Sequence, residues 1–475
     1  MGDRVLLVGL DFGSTTSSAV VASAEVTCNC ATGRRELSRI EQEYVSDAVF
    51  TPLIDERLDE VKLAGYLNRW LERVDPTRLF GGGAVVTGLA AERANAAALA
   101  QIVRRRLKDA VIAVGGDPYL ESWLAFMGNC ADLSRAHAER TFLNLDIGGG
   151  TTNVALGRQG KVLGAGSYFV GARHIQVAAG GYRIERLSSY ARHLLEYLKI
   201  GKQVGDELRG PEVLAIVDWQ LELLESIVRG DVDVRANPIV ALHEQARIEL
   251  PQPVANLAVT LSGGVGQLVY AALQGSDWPP TTAFGDLGVD LARRIVERPI
   301  WRNHLQAFQP TALGRATAYG LLRYNTQVSG STIFLSDPKI LPLPDLIILG
   351  SVAASSSPVE VERLVKLAAR APAGASLRVE FDRADADEVR RMAARIRQAL
   401  VARPPTSQVP LVLLMRENLG KVLGQCVSEW GASPMPLIVV DELDRMDGQF
   451  AHLGPLGDGV VPVSIYGMNA GDNLP

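Results

Sequence analysis

Two aspartates, Asp11 and Asp146, each end an apolar run and are followed two residues later by glycine, then by threonines. The later copy reads Phe142-Leu-Asn-Leu-Asp-Ile-Gly-Gly-Gly-Thr-Thr-Asn-Val, and the earlier copy Leu-Asp-Phe-Gly-Ser-Thr-Thr. Aligned on their threonine pairs, the later copy carries one extra glycine. Strand, glycine turn, strand is the pattern of a β-hairpin. Glycines in such a turn let backbone N–H groups approach a polyanion closely and form a phosphate nest. A carboxylate at the strand end can reach a hydrated Mg²⁺ held on that phosphate. A single copy also reads as a plain turn with a solvated Asp. Two near-identical copies instead indicate two related halves that offer hairpins to one ligand.

A third turn, Ser262-Gly263-Gly264-Val265-Gly266, also follows a buried apolar run but has no Asp. It suits a backbone-lined slot where a flat base and ribose lie against main chain. Together the three turns predict a nucleoside triphosphate with Mg²⁺ as ligand. No Gly-x-x-x-x-Gly-Lys-Ser/Thr occurs, and no Gly-x-Gly-x-x-Gly opens a helix after the first strand, so a P-loop or a dinucleotide fold is not expected.

The elements that must position these turns follow from periodicity. Residues 25–57, with the charged run from Arg34 to Glu43, read as a loop or small insertion, and 58–74 as a helix with Leu63, Leu67, Trp70 and Val74 on one face. Gly81, Gly82 and Gly83 read as a linker into a strand at 84–88; a helix at 90–107, a strand at 110–114 and a helix from Tyr119 follow. Beyond the Asp146 hairpin come a strand meander, helices at 190–198 and 212–229, and a strand at 255–261. Helices at 267–273 and 289–298 and a small-residue helix at 310–323 complete this part. From about residue 338 strands and helices alternate, which predicts an α/β unit with mostly parallel strands and a β tail. The expected division is 1–140 and 141–337 as two halves, each with one phosphate hairpin, and 338–475 as a C-terminal α/β region.

With 475 residues, 47% hydrophobic and 21% charged, the chain has the composition of a globular protein large enough for several domains. A net charge of −5 gives no electrostatic reason to expect nucleic acid or an anionic membrane as partner. No window reaches the length of a membrane span. Cys28, Cys30, Cys130 and Cys426 are too scattered for a disulfide framework, and the close pair Cys28 and Cys30 has no companion pair to complete a zinc site. Free thiols in a reducing cytoplasm fit best.

The motifs Asp11-x-Gly13-x-Thr15, Asp146-x-Gly148-Gly149-Gly150-Thr151 and Gly263-Gly264-x-Gly266 resemble the first phosphate, second phosphate and adenosine motifs of the actin, sugar-kinase and seventy-kilodalton chaperone superfamily. That resemblance implies an actin-like (ribonuclease H-like) α/β ATPase fold, two related halves hinged around a nucleotide cleft. It also implies ATP and Mg²⁺ as cofactors. Asp11 and Asp146 would hold Mg²⁺ largely through water, and Asp11, Gly13, Ser14, Thr15, Thr16, Gly148, Gly149, Gly150 and Thr151 would surround the phosphates. Gly263, Gly264 and Gly266 would line the adenosine. Glu121 falls where the superfamily's first connecting segment carries an acid that orients the attacking water, which makes Glu121 and Asp146 the candidate catalytic pair. Residues 316–320 resemble the second connecting helix.

A closer resemblance extends over nearly the whole chain. Leu143-Asn-Leu-Asp-Ile-Gly-Gly-Gly-Thr-Thr-Asn, Thr260-Leu-Ser-Gly-Gly-Val-Gly, Val328-Ser-Gly-Ser-Thr-Ile-Phe-Leu, Glu417-Asn-Leu-Gly-Lys-Val-Leu-Gly, Val439-Val-Asp-Glu-Leu and the tail Val460-Val-Pro-Val resemble the EutA family, the reactivating factors of ethanolamine ammonia-lyase. The chain departs from that family where Leu89 follows Thr87-Gly88, in the segment around Cys28 to Arg35, and between 175 and 250. The resemblance implies a chaperone-like ATPase whose partner is ethanolamine ammonia-lyase, and which releases damaged cobalamin so that intact adenosylcobalamin can rebind. Homo-oligomerisation and association with a bacterial microcompartment are left open. A reactivase of diol or glycerol dehydratase, a small-molecule kinase and a filament-forming ATPase are the alternatives on the same fold.

Overall fold

The first apolar run forms β1 (Val5–Phe12), and the chain returns antiparallel as β2 (Thr16–Cys28), with Asp11 opposite Ser18 and Phe12 opposite Ser17. Central strands covered on both faces need continuous rather than alternating apolar residues, which is what β1 carries. The computed structural model describes residues 4–13, 16–29, 34–54, 57–72, 74–75, 78–86, 95–107, 111–114, 118–231, 237–250, 254, 256–310, 313–322, 326–330, 332–369, 371, 373–402, 409–431, 435–446, 448–457 and 459–466. Ser14, Thr15, Cys30 and Leu89 therefore lie outside the described residues.

The charged run expected as a loop is a strand. β3 (Arg35–Val45) pairs antiparallel with β2 along its length, and β4 (Val49–Phe50) pairs with Thr16 and Ser17. Charges on an edge strand discourage pairing with other chains, and they mask the strand signal in the sequence. On the other side of β1 lie β5 (Leu79–Val86) and β6 (Val111–Val114), both parallel, giving the order β3-β2-β1-β5-β6. Gly81, Gly82 and Gly83 are inside β5 rather than in a linker. Gly82 has φ +115°, and a Cβ there would overlap the carbonyl oxygen of Val8. Helices α1 (Glu60–Trp70) and α2 (Ala96–Arg106) cover this sheet through Leu63, Leu67, Trp70, Leu99 and Val103. Asp59 caps α1 by accepting the Lys62 N–H at 3.0 Å.

The second sheet repeats the first. β7 (Thr141–Ile147), β8 (Thr152–Arg158) and β9 (Lys161–Tyr168) form the antiparallel meander. β11 (Leu257–Ser262) lies parallel on the far side of β7, and the short β10 (Glu244–Ala246) adds an edge. In both sheets the first strand is therefore flanked by its antiparallel successor and by a parallel fifth strand. Helix α3 (Pro118–Asn129) joins the halves, and α4 (Ser189–Tyr197), α5 (Gly210–Arg229), α6 (Gly263–Leu273) and α7 (Gly288–Glu297) enclose the second core. α6 starts directly at Gly263, four residues before the expected helix at 267, so the adenosine-type glycines form its first turn.

Helix α8 (Ala316–Gly320), preceded by a 3-10 turn at Leu313–Arg315, crosses α3 and β1 at backbone contact. A Cβ on Gly9 would overlap the Ala318 carbonyl, one on Gly128 the Ala316 carbonyl, and one on Gly320 the Leu124 carbonyl. Three glycines thus let α8 lie against both the first sheet and the connecting helix, the close packing its small residues suggest.

The third sheet contains β12 (Thr326–Val328), β13 (Phe334–Leu335), β14 (Leu343–Ala353), β15 (Ala375–Glu380), β16 (Leu411–Leu414), β17 (Leu437–Val440), β18 (Phe450–Leu453) and β19 (Pro462–Tyr466). Its order is β12-β19-β18-β14-β15-β16-β17-β13, with β14 to β17 parallel and antiparallel strands on both flanks. Helices α9 (Pro358–Ala368), α10 (Ala386–Ala402) and α11 (Gly420–Ser428) connect the parallel strands, as the alternating pattern predicts. This sheet packs against α3 and β5. The Arg445 guanidinium lies 3.9 Å from the Trp123 ring centroid on α3, and the Gly82 N–H donates to Thr326 Oγ1 at 3.0 Å. Among the described residues no helix is long and apolar enough to cross a membrane.

Introducing a side chain at the crossing has a defined cost. Gly128→Val should lower the unfolding free energy by at least about 2 kcal/mol through overpacking. Gly65→Ala, on the exposed side of α1 with nothing within 4 Å, should raise it by about 0.5–1 kcal/mol. Chemical denaturation of both variants checks the pair.

Candidate functional site

The two aspartate hairpins have the same loop length. Phe12 pairs with Ser17 and Ile147 with Thr152, leaving four residues in each turn. The Gly13 N–H donates to the Thr16 carbonyl at 2.9 Å, and the Gly148 N–H to the Thr151 carbonyl at 2.9 Å. Gly13 therefore matches Gly148 and Thr16 matches Thr151. The alignment with an extra glycine in the second copy is off by one position. Gly150 occupies the place of Thr15, because strand register rather than residue identity fixes the correspondence.

The second hairpin is braced from behind. The Ala172 N–H donates to the Gly148 carbonyl at 3.1 Å, the Arg173 N–H to the Gly149 carbonyl at 2.6 Å, and His174 Nε2 to the Gly150 carbonyl at 2.7 Å. In a trans peptide the C=O and the following N–H point in opposite directions. The N–H groups of Gly149, Gly150 and Thr151 are therefore turned away from the 172–174 segment as a row of donors, the geometry of an anion nest. A Cβ on Gly171 would strike the Gly149 carbonyl, so the brace itself requires glycine there.

His174 is a bracing residue that a lone histidine in the sequence does not announce. Its Nε2 faces an acceptor-only carbonyl and so carries the proton. Its Nδ1 then accepts from Ser188 Oγ at 2.8 Å, and the Ser188 oxygen in turn accepts the Ala191 N–H at 3.0 Å, capping α4. Burial pushes the imidazole down to about 4, opposed by the Gly150 carbonyl, so the ring is neutral at physiological pH. The first hairpin has a different brace, Thr51 Oγ1 donating to the Gly13 carbonyl at 2.7 Å while lying 2.8 Å from Ser17 Oγ.

Asp146 sits at the end of β7 with 9% of its surface exposed, opposite Asn153 and beside Ser262 of β11. Burial pushes its carboxyl up to about 6, opposed by a hydrogen bond from Ser262. A polar chain runs behind it. Asn144 Nδ2 donates to Ser262 Oγ at 2.9 Å, while Asn144 Oδ1 accepts from Asn129 Nδ2 and Thr260 Oγ1, each at 3.0 Å. The chain thus connects the end of α3 to the carboxylate. Cys130 shares it, 3.0 Å from Thr260 Oγ1, and burial pushes its thiol up to about 12, leaving it protonated and unreactive. Cys28, at the end of β2, is exposed.

A buried carboxylate with one neutral partner is the donor chemistry a hydrated cation would compensate. Among the described residues no three His, Cys, Asp or Glu side chains group to hold a metal ion, so Mg²⁺ here would depend on phosphate and water for its remaining ligands. The third glycine turn adjoins the second hairpin. Gly263, φ +77°, is 2.5 Å from the Ile147 carbonyl by its would-be Cβ, whereas a Cβ on Gly264 would meet nothing within 4 Å. Gly266 lies within the same helix against Leu261. Asp11, half-buried at the end of β1, holds in the first sheet the register position that Asp146 holds in the second. Glu121 is half-buried in the first turn of α3, where its neighbour Ser122 donates to the Gly166 carbonyl at 2.7 Å.

The halves meet beside the hairpins. The Arg173 guanidinium lies 5.9 Å from the ring centroid of Phe50, which pairs with Thr16 at the base of the first hairpin.

Far from these turns, the C-terminal motifs of the sequence converge. The Gly420 N–H donates to Asp441 Oδ2 at 2.9 Å, Asn418 Nδ2 to Glu442 Oε1 at 2.9 Å, and the Thr332 hydroxyl contacts Asp441. The Val461 N–H donates to Ser329 Oγ at 2.8 Å. Segments 328–335, 417–424, 439–443 and 460–463 therefore form one structural knot at the carboxyl ends of β16 and β17.

Two copies of one sheet unit, each carrying an aspartate and a glycine hairpin, with a third glycine turn opening a helix beside the second, define an actin-like ATPase fold. The sequence matches the family described as Ethanolamine utilisation protein EutA over residues 3–469, and the chain belongs to that family. It is 29% identical to the ethanolamine ammonia-lyase reactivase EutA of Salmonella typhimurium (strain LT2) and 27% identical to that of Escherichia coli (strain K12), with 98% of this chain and 98% of the relative aligned in each case. Among solved structures, an Aquifex aeolicus PPX-GPPA enzyme aligns with 67% of this chain and 89% of its own at 16% identity and a TM-score of 0.37. The EutJ protein of Carboxydothermus hydrogenoformans aligns with 60% of this chain and 90% of its own at 17% identity and a TM-score of 0.26.

His174 predicts a pH effect on the nucleotide-free protein. Its folded pKa is below the ordinary 6.5, so its stability contribution is complete above pH 6.5 and is lost as pH falls toward about 4, by about 3 kcal/mol in all. Asp146, raised from 3.8 to about 6, runs in the opposite sense over nearly the same window. The His174 contribution is therefore read as a difference. A His174→Gln variant should lose less stability than the parent between pH 6.5 and 4 in denaturant titrations, and equal slopes would contradict a neutral buried imidazole.

Proposed function

We propose that this chain is an ATP- and Mg²⁺-dependent reactivating factor that opens inactivated ethanolamine ammonia-lyase, so that damaged cobalamin leaves and intact adenosylcobalamin rebinds. The observation that carries the nucleotide half of this reading is the row of amides at Gly149, Gly150 and Thr151 beside the undercompensated Asp146. The lyase half rests on membership of the EutA family and on relatives named as ethanolamine ammonia-lyase reactivases, aligned over 98% of both chains.

In this reading Gly13, Ser14, Thr15 and Thr16 hold phosphate from one side and Gly148, Gly149, Gly150 and Thr151 from the other. Asp11 and Asp146 orient the waters of a hydrated Mg²⁺, which when bound offsets phosphate charge. Gly263, Gly264 and Gly266 line the adenosine, the open space at Gly264 leaving room for a ring against main chain. Glu121 accepts a hydrogen bond from the attacking water and fixes its direction. Closure of residues 1–140 against 141–337 takes place at the glycine-tight crossing of α3, α8 and β1. The third sheet, seated on Trp123, senses that movement and transmits it to the lyase. Free Cys130 and Cys426 fit action in a reducing cytoplasm.

The test of function is recovery of cyanocobalamin-blocked ethanolamine ammonia-lyase on addition of the chain, ATP, Mg²⁺ and free adenosylcobalamin. Recovery that depends on ATP is expected, and no recovery with a cognate lyase overturns the proposal. Asp146→Asn should lower ATP turnover at least about a hundredfold. Above pH 6 the same variant should hold or gain stability in the nucleotide-free state, by up to about 3 kcal/mol, because it removes a buried charge. Full turnover in that variant would remove Asp146 from the site.

A further inference from the structure

We propose that Arg173 is a phosphate-binding residue that reaches from the second hairpin across the cleft and makes the clamp selective for a triphosphate over a diphosphate. The inference rests on the nucleotide reading above. Its starting point is where the backbone puts the side chain. The Arg173 N–H is hydrogen-bonded to the Gly149 carbonyl at 2.6 Å, so this residue is fixed directly behind the amide row. From there the guanidinium extends to Phe50, whose strand pairs with Thr16 at the first hairpin. One side chain thus spans the interval between the two phosphate loops.

The local electrostatics are incomplete. The Arg173 side chain is 18% exposed, and Nε is buried with no acceptor among the described residues. Nη1 donates to the Phe284 carbonyl at 3.3 Å and stands 3.8 Å from Asp286 Oδ2, too far for a hydrogen bond. Asp286 uses its other oxygen for the Gly288 N–H at 2.9 Å. Burial lowers the Arg173 pKa despite Asp286, and Arg186 adds repulsion. A planar cation with five donors, held nearly dry and largely unpaired, carries a free-energy cost that a phosphate ligand removes. A purely structural arginine would be expected to pair closely, as Arg294 and Arg298 do with Asp218 at 2.7 Å and 2.8 Å.

The sequence gives a cue only in retrospect, because Val170-Gly-Ala-Arg-His contains no known motif and its importance comes from bracing the glycine hairpin.

The experiment uses the full chain with Mg²⁺ and either ATP or ADP, measuring affinity by calorimetry and the thermal midpoint without nucleotide. Arg173→Gln should weaken ATP at least tenfold, change ADP affinity less than threefold, and leave the nucleotide-free midpoint unchanged or higher. Arg173→Lys, which keeps the charge but loses the fork, should recover only part of the ATP affinity. Asp286→Asn, which frees the guanidinium from its one nearby anion, should bind ATP as tightly as the parent or more tightly. If Arg173→Gln instead lowers the nucleotide-free midpoint and weakens ATP and ADP alike, Arg173 is a structural ion-pair residue and the proposal is overturned. Equal ATP affinity in parent and variant overturns it too. A parent chain that binds neither nucleotide sinks the nucleotide reading itself, an outcome distinct from both.

Discussion

Everything at the candidate site depends on one constraint, the anchoring of three consecutive glycine carbonyls by the 172–174 segment. Glycine-rich turns are intrinsically loose, and a loose turn offers no preorganised anion site. Ala172, Arg173 and His174 remove that freedom from the rear by occupying the carbonyls. Peptide planarity then leaves the following amides facing outward. The neutral state of His174 belongs to the same constraint, since its Nε2 proton makes the last of these bonds and Ser188 holds the tautomer.

The carboxylate beside the turn is under a related tension. Asp146 is placed by β7 and β11 where water is scarce, and Ser262 alone opposes the burial penalty. The Asn129, Asn144 and Thr260 chain fixes Ser262, so the direction of the Asp146 side chain is set by residues on the connecting helix as well as on the sheet. A structural path of hydrogen bonds therefore links α3 to Asp146. The glycines at the α3–α8 crossing give it close backbone contact. The connecting helix α3 also supports the third sheet through Trp123 and Arg445.

Much of this was legible in the sequence. The two Asp-glycine hairpins and the glycine turn at Gly263 stand where their apolar runs place them, and the alternating elements after residue 338 form the parallel centre of the third sheet, whose antiparallel flanks include β12 and β13 from before that boundary. Three features were not legible, each for a physical reason. The charged edge strand Arg35–Val45 has no fully buried residue and only scattered apolar ones against the core, among them Leu37, Ile40 and Val45, so its composition mimics a loop. Gly81 and Gly82 of β5 lie in a strand because Thr326 and the Val8 backbone approach too closely for a side chain there, a tertiary requirement invisible to local pattern. The hairpin alignment slipped by one residue because repeated threonines match by identity while hydrogen-bond register decides position. His174, Arg173 and Thr51 carry no motif and become significant only through what they touch.

The most direct measurement of the two-hairpin clamp is hydrogen–deuterium exchange of the full chain with and without saturating Mg²⁺ and a non-hydrolysable ATP analogue. Amides in both turns, at 13–16 and at 149–151, should gain protection together on nucleotide binding. Binding that leaves the 149–151 amides unprotected, or that protects one hairpin alone, would contradict a clamp made from both.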